Sequence, residues 1–205
     1  MNDISTSFMG IYYFGFMPSF WIRLRCLGPI NPGVVSHFLP LVVRARLPAV
    51  TTLAASNADF FSVGAIVQWW TMMSIVSADV AAYFCGKRFG RTQLIQVSPK
   101  KTWEGFIAGC IASMSTMAIG AVLMGWPLAP FSGLFYGLMC AVMALIGDLT
   151  VSILKRSADV KDTGSLLPGH GGLLDRLDSY LLVAAPAFFF VRFILPFTRI
   201  CPAPV

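Results

Sequence analysis

The chain has 205 residues, enough for one or two domains, but its composition excludes an ordinary soluble protein. Hydrophobic residues make up 57% of the sequence, charged residues make up 12%, and the mean hydropathy is +0.74. Because 15 basic and 9 acidic side chains cannot cover a soluble domain of this size, we predict an integral membrane protein.

The N-terminal region, residues 1–59, predicts only short apolar segments. Residues 11–21 and 34–43 are brief and lie close to prolines, so we expect short helices, interfacial segments or partial membrane segments there. The first residues include Asp3 and no basic cluster, so no signal peptide is expected. Residues 60–205 are assigned to a transmembrane domain.

Four membrane spans are predicted in this domain. The first covers residues 60–84. Residues 105–147 form a stretch of 43 residues without a charged side chain, which is enough for two spans joined by a turn at residues 125–130. The last covers residues 177–197 and is expected to be interrupted by Pro186. The expected fold is therefore all-α, a polytopic helical bundle in the membrane.

Basic residues in the loops predict the orientation of this bundle. The loops at residues 86–103 and 148–178 are rich in Lys and Arg, and the two helices between them place both loops on one side. The turn at residues 125–130, on the other side, carries no charge. The positive-inside rule therefore places both charged loops on the cytoplasmic or stromal face, and the polar active-site cavity expected of this bundle would face the same side.

Acidic residues on two consecutive helices predict a site for a hard cation. Asp148, Ser152 and Lys155 fall at i, i+4 and i+7, so they share one helix face. Asp175 and Asp178 fall at i and i+3 on the next helix. Two helices that present carboxylates to each other at a membrane surface suit Mg²⁺, which binds carboxylate oxygens together with substrate phosphates.

The loop between these helices predicts polyphosphate binding. Glycines in the segment PGHGG, residues 168–172, let the backbone approach a ligand and expose N–H groups to an anion. Basic side chains nearby add positive charge, namely Lys155, Arg156, Lys161 and Arg176.

Each of these features also has a structural explanation when it is taken alone. Asp148 could form a buried ion pair with Lys155, and PGHGG could be a tight turn. Asp175 and Asp178 could be acids that the helix dipole stabilises near the N-terminus of their helix. Residues 98–104 could be a basic interfacial loop that ends near a helix start at Thr102. The coincidence of all four on one charged face favours a functional site.

Several motifs in the second half of the chain occur together at a recognisable spacing. They are GKRFG at residues 86–90, SPKKTWEG at 98–105, SILKR at 152–156, KDTG at 161–164, LPGHGG at 167–172 and DRLD at 175–178. Together they resemble the signature of the phosphatidate cytidylyltransferases, also called CDP-diacylglycerol synthases.

The resemblance implies a helical membrane enzyme that converts CTP and phosphatidate to CDP-diacylglycerol and pyrophosphate. It implies Mg²⁺ as cofactor, held by Asp148 and Asp175, with a second cation left open. Lys155 and Asp178 complete the implied catalytic centre. The implied substrate-binding residues are Asp79, Lys100, Lys101, Ser152, Arg156, Lys161, Asp162, Gly169, His170, Gly171, Gly172 and Arg176. Family members usually carry further spans before the position of Tyr12, which implies a processed, partial or shortened chain.

Two alternatives stay open at this point. One is another membrane transferase that uses CTP or CDP, such as a polyprenol kinase or a CDP-alcohol phosphotransferase, although the D-G-x2-A-R motif of the latter is absent. The other is a non-catalytic subunit that retains this fold in a larger membrane complex. Expected partners are CTP, phosphatidate and membrane lipids but no nucleic acid, with a homodimer or a larger assembly left open. The expected location is a bacterial inner membrane or a plastid membrane, either thylakoid or envelope.

Overall fold

The computed structural model describes residues 10–27, 63–95, 98–158, 172 and 174–195, and at residues 63, 98–100 and 174–176 it describes only the backbone. This part of the chain is mainly helical, as predicted. A π-helical turn at Ile11–Phe16 leads into α1 (Met17–Arg25). Four longer helices follow, namely α2 (Val63–Phe89), α3 (Trp103–Leu123), α4 (Phe131–Ser157) and α5 (Leu174–Phe189), and a π-helical turn at Phe190–Ile194 continues α5.

Three helices are long and apolar enough to cross a membrane. They are Trp103–Leu123, Phe131–Ser157 and Leu177–Ile194, found among the described residues. By length and composition they match three of the four predicted spans. Of the span predicted at residues 60–84, residues 63–84 lie in α2, which is not among the three. Pro186 lies inside α5 without ending it, so the predicted interruption is wrong.

A two-stranded hairpin departs from the all-α prediction. β1 (Gln93–Ile95) and β2 (Ser98–Thr102) pair antiparallel, with Gln93 opposite Thr102. Residues 98–102, for which the alternative explanation was a basic interfacial loop, form β2 of this hairpin. The predicted helix start near Thr102 is confirmed, since the Thr102 hydroxyl accepts a hydrogen bond of 3.2 Å from the Gly105 N–H at the start of α3.

Small residues let the helices of the bundle pack closely. A Cβ added at Gly133 of α4 would lie 2.4 Å from the Met117 carbonyl oxygen of α3, and one at Gly137 would lie 2.6 Å from that of Ser113. Close backbone approach of this kind is typical of helix packing in membranes. One apolar core draws on all five helices, with Leu24, Ile75, Met117, Tyr136 and Val183 completely buried in it.

The N-terminal segment packs against α5. Tyr13, Met17, Phe20 and Leu24 are buried at helical spacing on the π-helical turn and α1. Met17 and Phe20 contact Ala184 and Ala185 of α5 in a second apolar cluster. The short segment predicted at residues 34–43 and the predicted domain boundary at residue 59 lie outside the described residues.

Candidate active site

Asp148, in the second half of α4, lies at the centre of a charged region. Its Oδ2 forms an ion pair with the Lys101 ammonium of β2, and its Oδ1 accepts a hydrogen bond of 3.5 Å from the Ser152 hydroxyl. The Ser152 contact confirms the helix face predicted from the i and i+4 spacing. Both carboxylate oxygens of Asp148 therefore have a partner from this chain.

The hairpin holds Lys101 in place over α4. The Thr92 hydroxyl and N–H donate to the Glu104 carboxylate at 2.9 Å and 3.2 Å, and the Trp103 N–H donates to the Thr92 carbonyl at 3.1 Å. These bonds attach the hairpin to the first turn of α3. Lys101 directly precedes the capping residue Thr102, so its backbone position is fixed by the same contacts.

Glycines of the GKRFG motif allow this hairpin to approach α2. A Cβ at Gly90 would lie 2.7 Å from the Thr102 methyl carbon, and one at Gly86 would lie 3.0 Å from the Thr102 hydroxyl oxygen. Any side chain at Gly90 would therefore push the capping residue away. The structure thus brings the motifs at residues 86–90 and 98–105 together beside Asp148.

Asp178, near the start of α5, is the second acid of the site. It is only 8% exposed, and its Oδ1 accepts hydrogen bonds from the Ser179 N–H at 2.7 Å and the Ser179 hydroxyl at 3.4 Å. Its charged neighbours are Asp148 and Lys155. The two helices approach closely here, since a Cβ at Gly147 would lie 2.7 Å from the Asp178 carbonyl oxygen. The acids at residues 148 and 178, on two neighbouring helices, therefore interact electrostatically, while the predicted pairing of Asp148 with Asp175 stays a prediction.

A cavity of about 230 Å³ opens beside this charged region, between α2, α3 and α4. One end is polar and the rest is apolar, with walls formed mainly by small side chains. The polar end is lined by Asp79, Lys101, Thr102, Asp148 and Ser179, and the apolar walls include Ala78, Ala82, Ala141, Ala144 and Leu145. Asp79 also interacts electrostatically with Asp148 and Lys101, so two acids and one lysine lie together around one opening.

The donor groups in this region fit a divalent cation that shares its ligands with a substrate. Mg²⁺ is commonly bound through one or two carboxylates, with water and substrate phosphates in the other positions. Asp148 and Asp178 supply two neighbouring carboxylates. Within the described ranges, no group of three or more His, Cys, Asp or Glu side chains is arranged to hold a metal ion alone.

Other predicted site residues fall at the edges of the described chain. Lys155 and Arg156 lie in the last turn of α4, and Gly172 is buried just before α5. Outside the described residues are Lys161, Asp162, Gly169, His170 and Gly171. Lys100 lies in β2 and Asp175 and Arg176 in α5, but the surroundings of these three side chains are not described. Their predicted roles stay predictions.

Two aromatic residues of the N-terminal segment contact the site helices, and neither contact was predicted from the sequence. Tyr13 and Trp21 donate hydrogen bonds to the backbone carbonyls of Gly147 and Tyr180. The buried stripe at residues 13, 17, 20 and 24 was a visible signal, because its spacing is that of one helix face. Nothing in the sequence indicated that this face lies against α4 and α5.

The apolar helices and the charged cavity at one end of them define a membrane protein with an enzyme-like polar site. The chain belongs to the cytidylyltransferase family, whose model matches residues 1–194. This match covers the N-terminal segment as well as the motifs around Asp148 and Asp178.

Named relatives give the same family across bacteria and plastids. The chain is 40% identical over 194 residues to the phosphatidate cytidylyltransferase of Synechocystis sp., covering 95% of this chain and 64% of that protein. It is 38% identical over 191 residues to the chloroplastic phosphatidate cytidylyltransferase 5 of Arabidopsis thaliana, covering 93% and 45%. It is 40% identical over 122 residues to the phosphatidate cytidylyltransferase of Bacillus subtilis, covering 59% and 45%. The chain thus spans between 45% and 64% of the length of these relatives.

Proposed function

We propose that the chain carries the catalytic centre of a phosphatidate cytidylyltransferase. It would transfer the CMP group of CTP to phosphatidate and so form CDP-diacylglycerol and pyrophosphate. The observation that carries this proposal is the arrangement around Asp148, which pairs with Lys101 and neighbours Asp178 at the polar end of an apolar cavity. Membership of the cytidylyltransferase family and relatives named for this reaction support the choice of substrates.

The proposed reaction is a displacement at the α-phosphorus of CTP. A phosphate oxygen of phosphatidate forms a new bond to that phosphorus, and the bond from it to the oxygen shared with the β-phosphorus breaks. Pyrophosphate leaves with the electron pair of the broken bond. Because the attacking oxygen is already anionic, the step needs no strong general base. Its main cost is the approach of two anions, which positive charges in the site reduce.

The residues of the site have complementary roles in this proposal. Lys101 and Lys155 hold and neutralise substrate phosphates, and Lys100, Arg156, Lys161 and Arg176 extend this positive surface. Asp148 and Asp178, with Asp175 one turn before Asp178, would hold Mg²⁺. When bound, Mg²⁺ offsets the charge of the triphosphate and of the leaving pyrophosphate. The PGHGG segment at residues 168–172 is the proposed backbone cradle for the phosphates, with His170 as a positioning residue.

The cavity suggests how a lipid substrate reaches the charged end. We infer that its alanine-lined walls accept the glycerol end of phosphatidate and leave the phosphate beside Lys101. Basic residues at the ends of α2 and α4 favour the cytoplasmic or stromal side for this opening, in a multi-pass protein of a bacterial inner membrane or a plastid membrane.

A label-transfer assay tests this function directly. The purified chain in mixed micelles receives phosphatidate and CTP that carries a label on either the α- or the γ-phosphorus. Label from the α position should enter the lipid when Mg²⁺ is present and should not enter it after chelation. Label from the γ position in the lipid would indicate a kinase instead. If the folded chain transfers neither label, the proposed function is wrong and a non-catalytic subunit is favoured. Asp148→Asn serves as the inactive control.

A further inference from the structure

The ion pair between Lys101 and Asp148 occupies the carboxylate that the proposed function assigns to a divalent cation. We propose that Lys101 competes with the divalent cation for Asp148 and moves to a substrate phosphate when the cation binds. This inference rests on the proposed function, and it makes Lys101 the residue that couples metal binding to nucleotide binding.

The contacts of Asp148 support direct competition. The Lys101 ammonium group contacts Oδ2 of Asp148, and the Ser152 hydroxyl donates a hydrogen bond to Oδ1. A cation that binds this carboxylate must therefore displace or repel the ammonium group. Asp79 and Asp178 also interact with Asp148 electrostatically. A positive charge at this point is therefore favourable, and Lys101 and a divalent cation provide it in mutually exclusive ways.

The surroundings of Lys101 allow its side chain to move without unfolding anything. The side chains of Lys101 and Asp148 are each 27% exposed, so the ion pair borders the opening and not the core. The backbone of β2 stays fixed through the Thr102 cap and the Glu104 contacts with Thr92, while the four-carbon stem of a lysine is flexible. Only the ammonium group needs to change partner.

The released ammonium group lies at the polar end of the cavity, where a substrate phosphate would become its partner. A nucleotide that binds Lys101 removes the competitor from Asp148, and a cation that binds Asp148 frees Lys101 for the nucleotide. The two ligands should therefore strengthen each other, and by thermodynamic linkage each should raise the affinity of the other by the same factor.

Binding of Mn²⁺, followed by its electron paramagnetic resonance signal, tests this competition without turnover. The purified chain in micelles is titrated with Mn²⁺, with and without CTP, as the wild type and as Lys101→Met and Lys101→Gln. Both variants should bind Mn²⁺ without nucleotide about threefold tighter or more, the range expected when a partly exposed ion pair no longer competes. CTP should strengthen Mn²⁺ binding in the wild type and much less in the variants, while their turnover falls.

Lys87→Met is the matched control. Lys87 is an exposed lysine at the end of α2 that lies over the Tyr83 ring at 5.9 Å, so its loss removes the same charge without freeing Asp148. It should leave Mn²⁺ affinity within about twofold of the wild type, as expected for an exposed charge.

Unchanged or weaker Mn²⁺ binding in folded Lys101→Met and Lys101→Gln would overturn the competition, as would undiminished strengthening by CTP. A chain that transfers no CMP but shows the gain in Mn²⁺ affinity would contradict the proposed function and still support the competition for Asp148.

Discussion

The Tyr13 hydroxyl donates a hydrogen bond of 3.2 Å to the carbonyl of Gly147, 134 residues further along the chain and directly before Asp148. Tyr13 is 5% exposed and packs with Val151 and Leu181. Burial, with smaller contributions from the acids at 178 and 148, raises the pKa of Tyr13 to about 12, so its hydroxyl remains a donor at physiological pH. The N-terminal segment thereby fixes the part of α4 that carries Asp148.

Tyr13→Phe should therefore lower catalytic activity without leaving a cavity in the core. The ring still fills its pocket, but the Gly147 carbonyl loses its buried donor, which costs about 1 kcal/mol of stability. A small displacement of Asp148 should lower kcat about tenfold, since catalytic geometry is sensitive to shifts below 1 Å. Turnover of CTP and the thermal unfolding midpoint in detergent measure the two effects.

Ser19→Ala is the matched control for this change. The Ser19 hydroxyl donates to the Phe16 carbonyl at 2.6 Å, three residues away on the exposed side of the same segment. Its removal should leave kcat unchanged. Equal losses of activity in Tyr13→Phe and Ser19→Ala would refute a specific role for the Gly147 contact.

Gly147→Ala tests the close approach of α4 and α5 at the site. The added methyl group would meet the Asp178 carbonyl oxygen at 2.7 Å, so α5 must shift. Overpacking of this kind costs about 1–3 kcal/mol, and the shift should separate the two acids and abolish most activity. Gly133→Ala, at the other end of α4, would place its methyl group 2.4 Å from the Met117 carbonyl oxygen, which is tighter still, so it should lower stability at least as much and yet retain most activity. Similar activities of the two folded variants would contradict the prediction.

The helices were predictable because the sequence patterns that indicate them involve residues close together in the chain. The uncharged stretch at residues 105–147 and the Gly and Pro residues at its centre located α3, α4 and the turn between them, and Gly125 indeed has a positive φ of 62° there. The shared face of Asp148 and Ser152 also followed from helical periodicity alone. Each of these features depends on residues within a few turns of one another.

The hairpin and the ion pair were not predictable because they depend on contacts that leave no pattern in a short stretch of sequence. β2 has five residues, four of them polar or basic, and it is held by backbone bonds to β1 that leave no hydrophobic pattern. Lys101 was predicted to bind substrate, but its contact with Asp148 joins positions 47 residues apart. Such a contact depends on how glycines at 86 and 90 let the hairpin approach α2, which one sequence alone does not reveal.

Asp178→Asn and Asp148→Asn should have different effects on stability although both remove one carboxylate. Asn at 178 can still accept the Ser179 hydrogen bonds, and the change relieves repulsion between two neighbouring acids, so the unfolding midpoint without divalent ions should stay equal or rise. Asn at 148 relieves the same repulsion but also loses the attraction to Lys101, so its midpoint should be the lower of the two.

Activity should fall in both variants, whatever their effects on stability. Both should lose at least about a hundredfold in kcat, because each removes a proposed ligand for the cation that offsets phosphate charge. Function and stability are commonly in conflict where like charges are held together. Full activity in Asp178→Asn would remove that residue from the proposed catalytic centre, and a lower midpoint than that of Asp148→Asn would contradict the assigned repulsion.

Ser113→Ala tests what holds the membrane helices together away from the site. The Ser113 hydroxyl of α3 donates to the Gly137 carbonyl of α4 at 2.7 Å and lies 2.6 Å from the Ser74 hydroxyl of α2, and both serines are completely buried. Hydrogen bonds between membrane helices contribute about 0.6 kcal/mol on average and up to about 1.7. Because the Ser113 hydroxyl joins three helices, its removal should lower the free energy of unfolding by about 1 kcal/mol, measured by unfolding in mixed micelles with increasing denaturing detergent.

Ser115→Ala is the matched control. It removes only an exposed hydrogen bond to Ile111 within α3, so it should lower the free energy of unfolding much less. Equal stabilities of the two variants would show that the buried hydroxyl does not join the helices.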